Sequence, residues 1–454
     1  MSPKLETAKI GEFFNEITDY EKAGKLDLAY RLASRVAEAT PQLAQAQNMA
    51  GLLAYHRADY RQALEWLHKA IALEPGTAAY PRNAGLVYHA LYQSEAALAQ
   101  AQRAIDLAPQ DPGLYFNKAL ILYDCRDIEA GLKVVEQALA LAPNHADALF
   151  LKAELQLLAG HFAEGWKSYE GRFATEQGKK MLPTTNKPQW DGRPLAEGQL
   201  LLVADQGFGD CIQFARYIPW VAERAPAPIL AASDELLPLL RQVKGLGRAV
   251  RSWDDVGDYS AYIPLSGLPR LAGTRLDTIP ASVPYLRADP QKLTLWQDRL
   301  KTLTPAGAKR VGLVWAGRPT HAKDKRRSVE LSQFAPLLQR EDLVFVSLQK
   351  GERVKEAGTI FAAAPFLNLG PLINDFTDTL AILQILDHMV SVDTSVAHLA
   401  GAAGVPTSLI LPYAPDWRWL LDRDDSPWYP TMRLYRQHHL GDWREVMQRL
   451  AAAL

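Results

Sequence analysis

The sequence contains little that would support several common kinds of chemistry. Its 454 residues include two cysteines, Cys125 and Cys211, too few for a disulfide framework or a cysteine-rich metal site. Positive and negative side chains nearly cancel, leaving a net charge of −1, so no basic field favours nucleic acid. There is no uninterrupted apolar run long enough for a membrane span, and the first residues lack an apolar signal region. These absences predict a cytoplasmic protein with no membrane span and no nucleic-acid partner.

Motifs for several enzyme classes are absent as well. The chain has no His-Glu-x-x-His and no paired Cys-x-x-Cys, and its one Asp-x-Asp, Asp422–Asp424, lies in a charged, aromatic-rich segment, so no metal site is expected. It also lacks a P-loop and the Gly-x-Ser-x-Gly of serine hydrolases. No cofactor is expected either. Any bound phosphate would have to be balanced by basic side chains and by helix N-termini.

The first part of the chain contains a repeated pattern of proline and small residues. Pro41, Pro75, Pro109 and Pro143 recur every 34 residues. Small residues keep the same period, at Ala29, Ala63, Ala97 and Gly131, at Ala70, Ala104 and Ala138, and at Gly51 and Gly85. A 34-residue period with small residues where two helices touch, and proline after the second helix, is the tetratricopeptide (TPR) signature. The sequence predicts four such units from about residue 10 to 144, and a fifth over about 147–172.

Four asparagines occupy similar places on the first helices of these units. Asn15, Asn83 and Asn117 share one repeat position, and Asn48 is one residue out of phase. Because an amide both donates and accepts, a row of asparagines in the inner groove can pair with the backbone of a bound peptide. The alternative is that they are solvated surface residues.

The second half reads as alternating strands and helices. Such alternation begins at QLLLVADQGFGD and restarts at RVGLVWAG, which predicts two parallel-sheet lobes with a ligand cleft at the strands' carboxyl ends. The expected fold class is therefore α plus α/β. The expected domains are a TPR solenoid over 1–172, a linker or strap over 173–197, and lobes over 198–304 and 305–454.

Asp210 is the candidate general base. It ends the motif DQGFGD, which follows a buried strand and opens a helix, and Gly207 and Gly209 are expected to permit a tight turn. At a helix N-terminus a carboxylate is stabilised by exposed amides. The alternatives are a helix cap alone or a base that faces the cleft.

Two further loops follow strands and carry groups suited to phosphate or nucleoside. The first, WAGRPTHAKDKRRS, includes His321, Lys325 and Arg326, and basic residues there suit a phosphate or are simply solvated. The second, SLQKGE, places Gln349 and Lys350 where they can reach a base or ribose.

A third loop, VSVDTSVAHLAGAAGVP, opens a helix directly after a strand. Thr394 and Ser395 begin the helix, and His398 lies in its first turn. Free backbone amides at such a helix start bind phosphate, and the hydroxyls and imidazole add donors. A structural capping box is the alternative. The later segment Leu411–Gln437 is rich in aromatics and charge, and core packing is the favoured interpretation there.

Taken in order, these motifs resemble those of bacterial TPR glycosyltransferases. The GxGD motif, the WAG-x-P loop, SLQKG and SVDTSVAHLAGA resemble the GT-B catalytic half of heptosyltransferases, and more distantly the O-linked N-acetylglucosamine transferases. The resemblance covers nearly the whole chain and implies a GT-B pair of Rossmann-like lobes. It also implies a metal-independent enzyme that uses a nucleotide sugar, and it favours inversion at the anomeric carbon.

The resemblance also implies roles for individual residues. It suggests Asp210 as the base, and Thr394, Ser395 and His398 as ligands of the donor phosphates. Asp393 is expected near the sugar, and the basic loop that contains Lys325 and Arg326 is similar in position to phosphate-binding residues of that family.

The expected function is transfer of a sugar to a Ser or Thr hydroxyl of a protein held by the repeats. Some similar proteins modify flagellin, which is one specialisation. The alternatives are a glycan or lipopolysaccharide-type transferase whose repeats only recruit a partner, and a TPR scaffold without enzymatic activity.

Overall fold

The computed structural model describes residues 7–321, 323–358 and 365–454. The chain divides into two compact units, Met1–Lys152 and Ala153–Leu454. The first six residues, and Ala322 of the predicted basic loop, lie outside the described residues.

The first unit consists of helical hairpins, as the 34-residue period predicts. Each second helix ends two residues before one of the periodic prolines, which cannot continue a helix. The helices are α1 (Thr7–Lys22), α2 (Leu26–Ala39), α3 (Ala44–His56), α4 (Tyr60–Leu73), α5 (Ala79–Ala90), α6 (Ser94–Leu107), α7 (Pro112–Asp124), α8 (Ile128–Leu141) and α9 (Ala146–Leu158), the last containing the division between the units.

Small residues lie where the two helices of a hairpin meet. Ala63 and Ala70 of α4 are fully buried. A Cβ added at Gly51 of α3 would lie 2.7 Å from Cγ of Leu67, closer than atoms normally pack. The period in the sequence is therefore the period of close backbone contact, and the predicted TPR-like solenoid is confirmed.

The second unit begins with helices and then builds a four-stranded parallel sheet. The strand order is β3-β2-β1-β4. Its strands are β1 (Leu200–Val203), β2 (Ile229–Ala231), β3 (Arg248–Val250) and β4 (Ala261–Pro264), and its α-helices are α10 (Phe162–Tyr169), α11 (Glu176–Lys179), α12 (Phe208–Phe214), α13 (Ile218–Ala222), α14 (Leu237–Leu240) and α15 (Leu268–Leu271). Short 3-10 helices cover Glu170–Ala174, Ala215–Tyr217, Trp253–Asp255 and Leu265–Gly267.

A second parallel sheet of six strands follows, in the order β10-β9-β8-β5-β6-β7. Its strands are β5 (Lys309–Val314), β6 (Leu343–Ser347), β7 (Phe366–Asn368), β8 (His388–Val392), β9 (Thr407–Leu411) and β10 (Met432–Arg436). The α-helices are α16 (Pro290–Leu303), α17 (Asp324–Arg327), α18 (Ala335–Leu338), α19 (Phe376–Leu383), α20 (Ser395–Ala402) and α21 (Arg444–Ala453), with 3-10 helices at Leu331–Phe334, Glu352–Gly358, Gly370–Leu372 and Trp417–Trp419.

The two predicted runs of alternating strands and helices are thus confirmed as two parallel sheets. Central strands β5 and β8 are buried from Val311 and from Met389 to their carboxyl ends, as expected for strands covered on both faces. The sequence did not predict the short strands β3, β7 and β10, which extend the sheets at their edges.

Two segments between these elements are held by specific contacts. In the segment predicted as a linker or strap, Gln189 forms a parallel bridge with Tyr262 of β4, and the buried Trp190 donates to the Tyr262 carbonyl at 2.8 Å. Helix α16 contacts α19 through Lys292 and Trp296, which bind Asp378. Helix α16 therefore packs against the helices of the second sheet, although it precedes the boundary predicted at residue 304.

Candidate functional site

The strand orders identify where each sheet can bind a ligand. In the second sheet the chain runs from β5 outward to β7 and returns to the other side of β5 at β8. Ligands of parallel sheets bind at the carboxyl ends of strands where the order reverses. The loops after β5 and β8 leave from this point, and they are the predicted basic loop and the Asp393–Ser395 turn. In the first sheet the corresponding point lies between β1 and β4, and the motif with Asp210 follows β1.

Helices α12 and α20 bring the two switch points together. A Cβ added at Gly209 of α12 would lie 2.7 Å from Cδ2 of His398 and 3.5 Å from Cα of Ser395, both in α20. Gly209 is therefore needed for close approach of two helices. Gly207 is the N-cap of α12 and Gly209 lies within the helix, and neither uses the positive φ that glycine permits.

Asp210 lies in the first turn of α12, as predicted, and is held by an arginine from the second lobe. Its Oδ1 accepts a hydrogen bond from Nη2 of Arg418, which follows β9. Arg418 is buried, and its Nη1 donates to Oδ1 of Asp416 at 2.8 Å. Its Nε donates to Oε1 of Gln213 in α12. One guanidinium thus joins both lobes at the candidate base.

Asp393 and Asp416 are neighbouring half-buried carboxylates beside this arginine. Burial, followed by repulsion from Asp416, raises the pKa of Asp393 to about 6. Burial also acts to raise the pKa of Asp416, but the cations of Arg418 and Lys323 outweigh it and hold that pKa below its usual value. The pair therefore has one firmly ionised member and one that titrates near neutrality.

We expect Asp393→Asn to stabilise the protein at pH 7.5, by on the order of 1–3 kcal/mol. Because the pKa is raised in the folded state, the folded protein binds this proton more tightly than the unfolded chain does. Wild-type stability should therefore fall as pH rises from about 4 to 6, and the variant should lack this fall. Urea unfolding at pH 5 and pH 7.5 measures both. Asp258→Asn, at an exposed carboxylate, is the control, and equal stabilities of Asp393→Asn and wild type at pH 7.5 would contradict the expectation.

His398 is buried and fixed on several sides. Its Nδ1 lies 2.9 Å from the Tyr429 hydroxyl, and its ring stacks on Trp419 with centroids 5.5 Å apart. Its Nε2 lies 3.8 Å from Oδ1 of Asp393. Burial, and then the charge of Arg418, lower its pKa well below the usual value, so the imidazole is neutral at physiological pH. His398 therefore lies at the predicted phosphate-binding loop, and its ring is uncharged there.

The start of α20 lacks a side-chain cap. Thr394 is extended at the N-cap, and its hydroxyl makes no capping bond to the helix but lies 3.3 Å from Oγ of Ser391. Ser395, the first helical residue, is half-buried. The capping box considered from the sequence is therefore not formed, and the amides of the first turn receive no bond from that side chain.

The basic loop separates into paired and exposed cations. Lys323 lies 2.7 Å from Glu154, and Arg327 lies 3.3 Å from Asp324. Among the predicted phosphate ligands, Nδ1 of His321 accepts a hydrogen bond from the backbone N–H of Lys323 at 3.2 Å. His321 and Lys325 are exposed, Arg326 is half-buried, and Lys325 forms no ion pair with a described residue. The loop thus presents cationic side chains at the carboxyl end of β5.

Gln349 and Lys350 have structural partners. The Gln349 side chain accepts from the backbone of Trp315 and Ala316, and donates to the carbonyls of Ala316 and Lys350. Lys350 Nζ donates to the carbonyls of Gly370 and Ile373 at 3.1 and 2.7 Å. Gln349 therefore holds the loop after β5 in place, and binding of a base or ribose by these two residues stays a prediction.

Within the first unit, some of the predicted asparagines form hydrogen bonds with neighbouring side chains. Asn83 is buried, donates to Oδ1 of Asn48 at 2.7 Å, and accepts from Arg82 at 3.3 Å. Asn117 is half-buried and Asn15 is exposed. Peptide binding by these amides stays a prediction.

Two buried arginines lie between the lobes; the sequence indicated Arg418 as a residue that could fix a helix or contact a ligand, and Arg216 was missed. Besides Arg418, Arg216 donates to the carbonyls of Trp428 and Pro280 and to the hydroxyl of Tyr285. Its guanidinium lies 4.6 Å from the ring centre of Tyr429. The only signal in the sequence for Arg418 was its position in the aromatic segment after β9. The tryptophans of that segment are buried, which confirms the favoured interpretation of core packing.

In the part of the chain that the structure describes, no cluster of three or more His, Cys, Asp or Glu side chains is arranged to hold a metal ion. None of the described helices has the length and apolar character that crossing a membrane requires. The candidate site itself consists of neighbouring carboxylates, buried guanidinium groups and a helix N-terminus.

These features define a protein with a TPR-like helical solenoid followed by a parallel α/β region. No protein-family model matches the chain. Protein FlbA of Caulobacter vibrioides is 29% identical over 334 residues, which is 67% of this chain and 54% of FlbA. The chain thus spans about half the length of this curated relative.

Solved structures with some similarity include two that are described as TPR proteins. YrrB, described as a TPR protein with an unusual peptide-binding site, is 19% identical, with a TM-score of 0.30 over 36% of this chain and 83% of YrrB. MamA is 20% identical, with a TM-score of 0.33 over 36% of this chain and 96% of MamA. A TPR protein of Thermus thermophilus is 20% identical, with a TM-score of 0.34 over 37% of this chain and 91% of that protein.

Proposed function

We propose that the protein is a glycosyltransferase of the GT-B type, which moves a sugar from a nucleotide donor to a protein hydroxyl. One observation carries the proposal. The Asp210 helix of the first sheet contacts the uncapped start of α20 in the second, at Gly209. A candidate base from one lobe and a candidate phosphate site from the other are thereby placed side by side. That arrangement suits a sugar bound between an acceptor hydroxyl and a departing phosphate.

The chemistry follows from the charges at the site. The acceptor hydroxyl attacks the anomeric carbon while the Asp210 carboxylate takes its proton. The bond between that carbon and the phosphate oxygen breaks, and the nucleotide leaves with the electron pair. The amides at the start of α20 and the exposed cations of the basic loop, such as Lys325, stabilise the charge that forms. A single displacement inverts the anomeric centre.

The donor site is proposed to include Thr394, Ser395 and His398, with Asp393 near the sugar. The neutral ring of His398 can offer a hydrogen bond through one nitrogen without adding charge. The acceptor is proposed to be a protein segment bound along the repeats, because TPR-like hairpins present rows of side chains to an extended peptide. Flagellin is the first acceptor to test, since the family resemblance includes enzymes that modify it.

A thermal-shift comparison tests the donor site. We expect one of CMP, UDP, GDP or ADP to raise the melting temperature by several degrees near saturation, since a ligand at 100 times its Kd stabilises by about 2.7 kcal/mol. Ser395→Asp should abolish the shift, because the added charge repels phosphate. The same charge at a helix start interacts favourably with the helix dipole, so the unliganded variant should stay folded.

The matched control is Ser94→Asp, which puts the same charge on the half-buried first residue of α6 in the first unit. That variant should keep the full nucleotide shift. Substitution of His398 is unsuitable here, because its ring fills the space between Tyr429, Trp419 and Gly209. Absence of a shift with all four nucleotides would refute the proposal and favour a repeat scaffold. A shift that survives in Ser395→Asp would place the nucleotide elsewhere.

A further inference from the structure

We infer that Arg418 positions the candidate base, by holding Oδ1 of Asp210 so that Oδ2 is the oxygen that receives the acceptor's proton. The inference rests on the proposed function, and it assigns a role to a residue outside the predicted donor and acceptor sites. Arg418 acts through Asp210 and is a positioning residue.

The orientation of the Arg418 guanidinium is itself fixed. Nη1 donates to Oδ1 of Asp416 at 2.8 Å, and the backbone N–H of Arg418 donates to the same oxygen at 3.0 Å. Nε donates to Gln213, and the group lies 4.2 Å from the ring centre of Trp417. Three acceptors and an aromatic ring leave the planar group little freedom to rotate. A donor held this firmly can fix the carboxylate that it binds.

The two oxygens of Asp210 have different surroundings. Oδ1 accepts from Arg418, whereas Oδ2 accepts no hydrogen bond from a described residue. A Cβ added at Gly207 would lie 3.1 Å from Oδ2, so glycine at this position leaves that oxygen uncovered. The Asp210 side chain is 24% exposed and that of Arg418 is 7% exposed. The arginine therefore occupies the buried side of the carboxylate, and Oδ2 is left for a substrate hydroxyl.

The pair also joins the two lobes. Asp210 follows β1 of the first sheet, and Arg418 follows β9 of the second, next to the Asp416–Asp393 pair at the donor side. The orientation of the Asp210 carboxylate consequently depends on the lobe that is proposed to bind the donor. Direct binding of a donor phosphate by Arg418 is the competing role, and the contacts to Asp210, Gln213 and Asp416 already use three of its five N–H groups.

The test compares four variants: Arg418→Met, Arg418→Lys, Asp210→Asn, and the double variant of Arg418→Met with Asp210→Asn. Nucleotide release from UDP-, GDP-, ADP- and CMP-sugars in the presence of flagellin gives kcat and KM. We expect Arg418→Met to lower kcat about 10–100-fold with the donor KM within about threefold. Lysine should restore part of the rate. The double variant should be no slower than Asp210→Asn, because both changes act on one group.

Two further variants keep the test decisive if Arg418→Met folds poorly. Gly207→Ala leaves the arginine untouched and crowds Oδ2, and it should lower kcat several-fold at unchanged melting temperature. Arg423→Met, which removes a cation paired with Asp425 in the same segment, should leave kcat unchanged. A raised donor KM in Arg418→Met with normal kcat would overturn the inference in favour of phosphate binding. Rate losses that multiply in the double variant would also overturn the inference.

A second readout separates this inference from the proposed function. Melting temperatures of Arg418→Met, Asp210→Ala and the variant that combines them report the Arg418–Asp210 contact without any turnover, and the two single losses should not add. If wild type transfers no sugar, the proposed function fails. Additive losses in melting temperature overturn the positioning inference whether or not sugar is transferred.

Discussion

Replacement of Asp210 by asparagine is expected to slow sugar transfer by about 10²–10⁴-fold, the usual contribution of a general base. The amide cannot accept the hydroxyl proton, yet its oxygen can still accept the hydrogen bond from Arg418. The fold and the approach of α12 to α20 at Gly209 should therefore persist. Intact-protein mass spectrometry of flagellin co-expressed with each variant measures the transfer.

A matched control is available in the first sheet. Asp254 lies in the first turn of the 3-10 helix that follows β3, away from the switch point, and Asp254→Asn should transfer at the wild-type rate. The nucleotide thermal shift of Asp210→Asn should match that of wild type, because its role is proposed on the acceptor hydroxyl and not on the donor. Full activity in Asp210→Asn would assign the base elsewhere, and loss of nucleotide binding would make Asp210 a donor ligand.

Truncation of Trp417 should give the largest loss of stability, about 3–5 kcal/mol, as is typical when a buried tryptophan becomes alanine. Trp417 is 1% exposed. Its ring lies edge-on to Trp166 of α10, with centroids 5.2 Å apart, and it also contacts Trp428 and supports the guanidinium of Arg418. The cavity would loosen α10 and the arginine together. Urea unfolding followed by circular dichroism measures the loss.

Trp220→Ala provides the comparison, because this tryptophan is only half-buried and contacts Trp190 and Arg224 near the surface. Trp220→Ala should lower the free energy of unfolding distinctly less than Trp417→Ala does. Equal losses in the two variants would mean that the Trp417 cluster relaxes around the cavity, and that α10 is held chiefly by other contacts, such as the hydrogen bond from Trp166 to the Thr274 carbonyl at 3.0 Å.

The features that were predictable from sequence are those set by local pattern. The 34-residue period locates the hairpins because proline and the small residues each act within one unit. Strand β1 is readable because a parallel strand that is covered on both faces needs continuous apolar residues, here LLLV. Edge strand β10 was missed because its sequence, MRLYR, contains two arginines, one of them exposed, and lies in a segment rich in aromatic and charged residues.

The candidate site was predictable only as a set of loops. Asp210 and His398 could be named because each follows a strand, but their approach through Gly209 depends on how two sheets pack. Arg418 binds a carboxylate 208 positions away, and no local pattern signals that a cation will be buried. For Gln349 the sequence indicated only its place at a strand end, and the hydrogen bonds of its amide with the backbone after β5 could not be predicted from it.

The packing of α10 has a consequence for protein engineering. Phe162 and Trp166 of this helix form part of the aromatic cluster with Trp417 and Trp428. A chimera that borrows recognition repeats from another protein should therefore keep the native helical hairpin of α9 and α10 and be joined at the turn near Pro143. A junction at residue 172 would remove half of that cluster and leave the indole rings of the α/β region facing water.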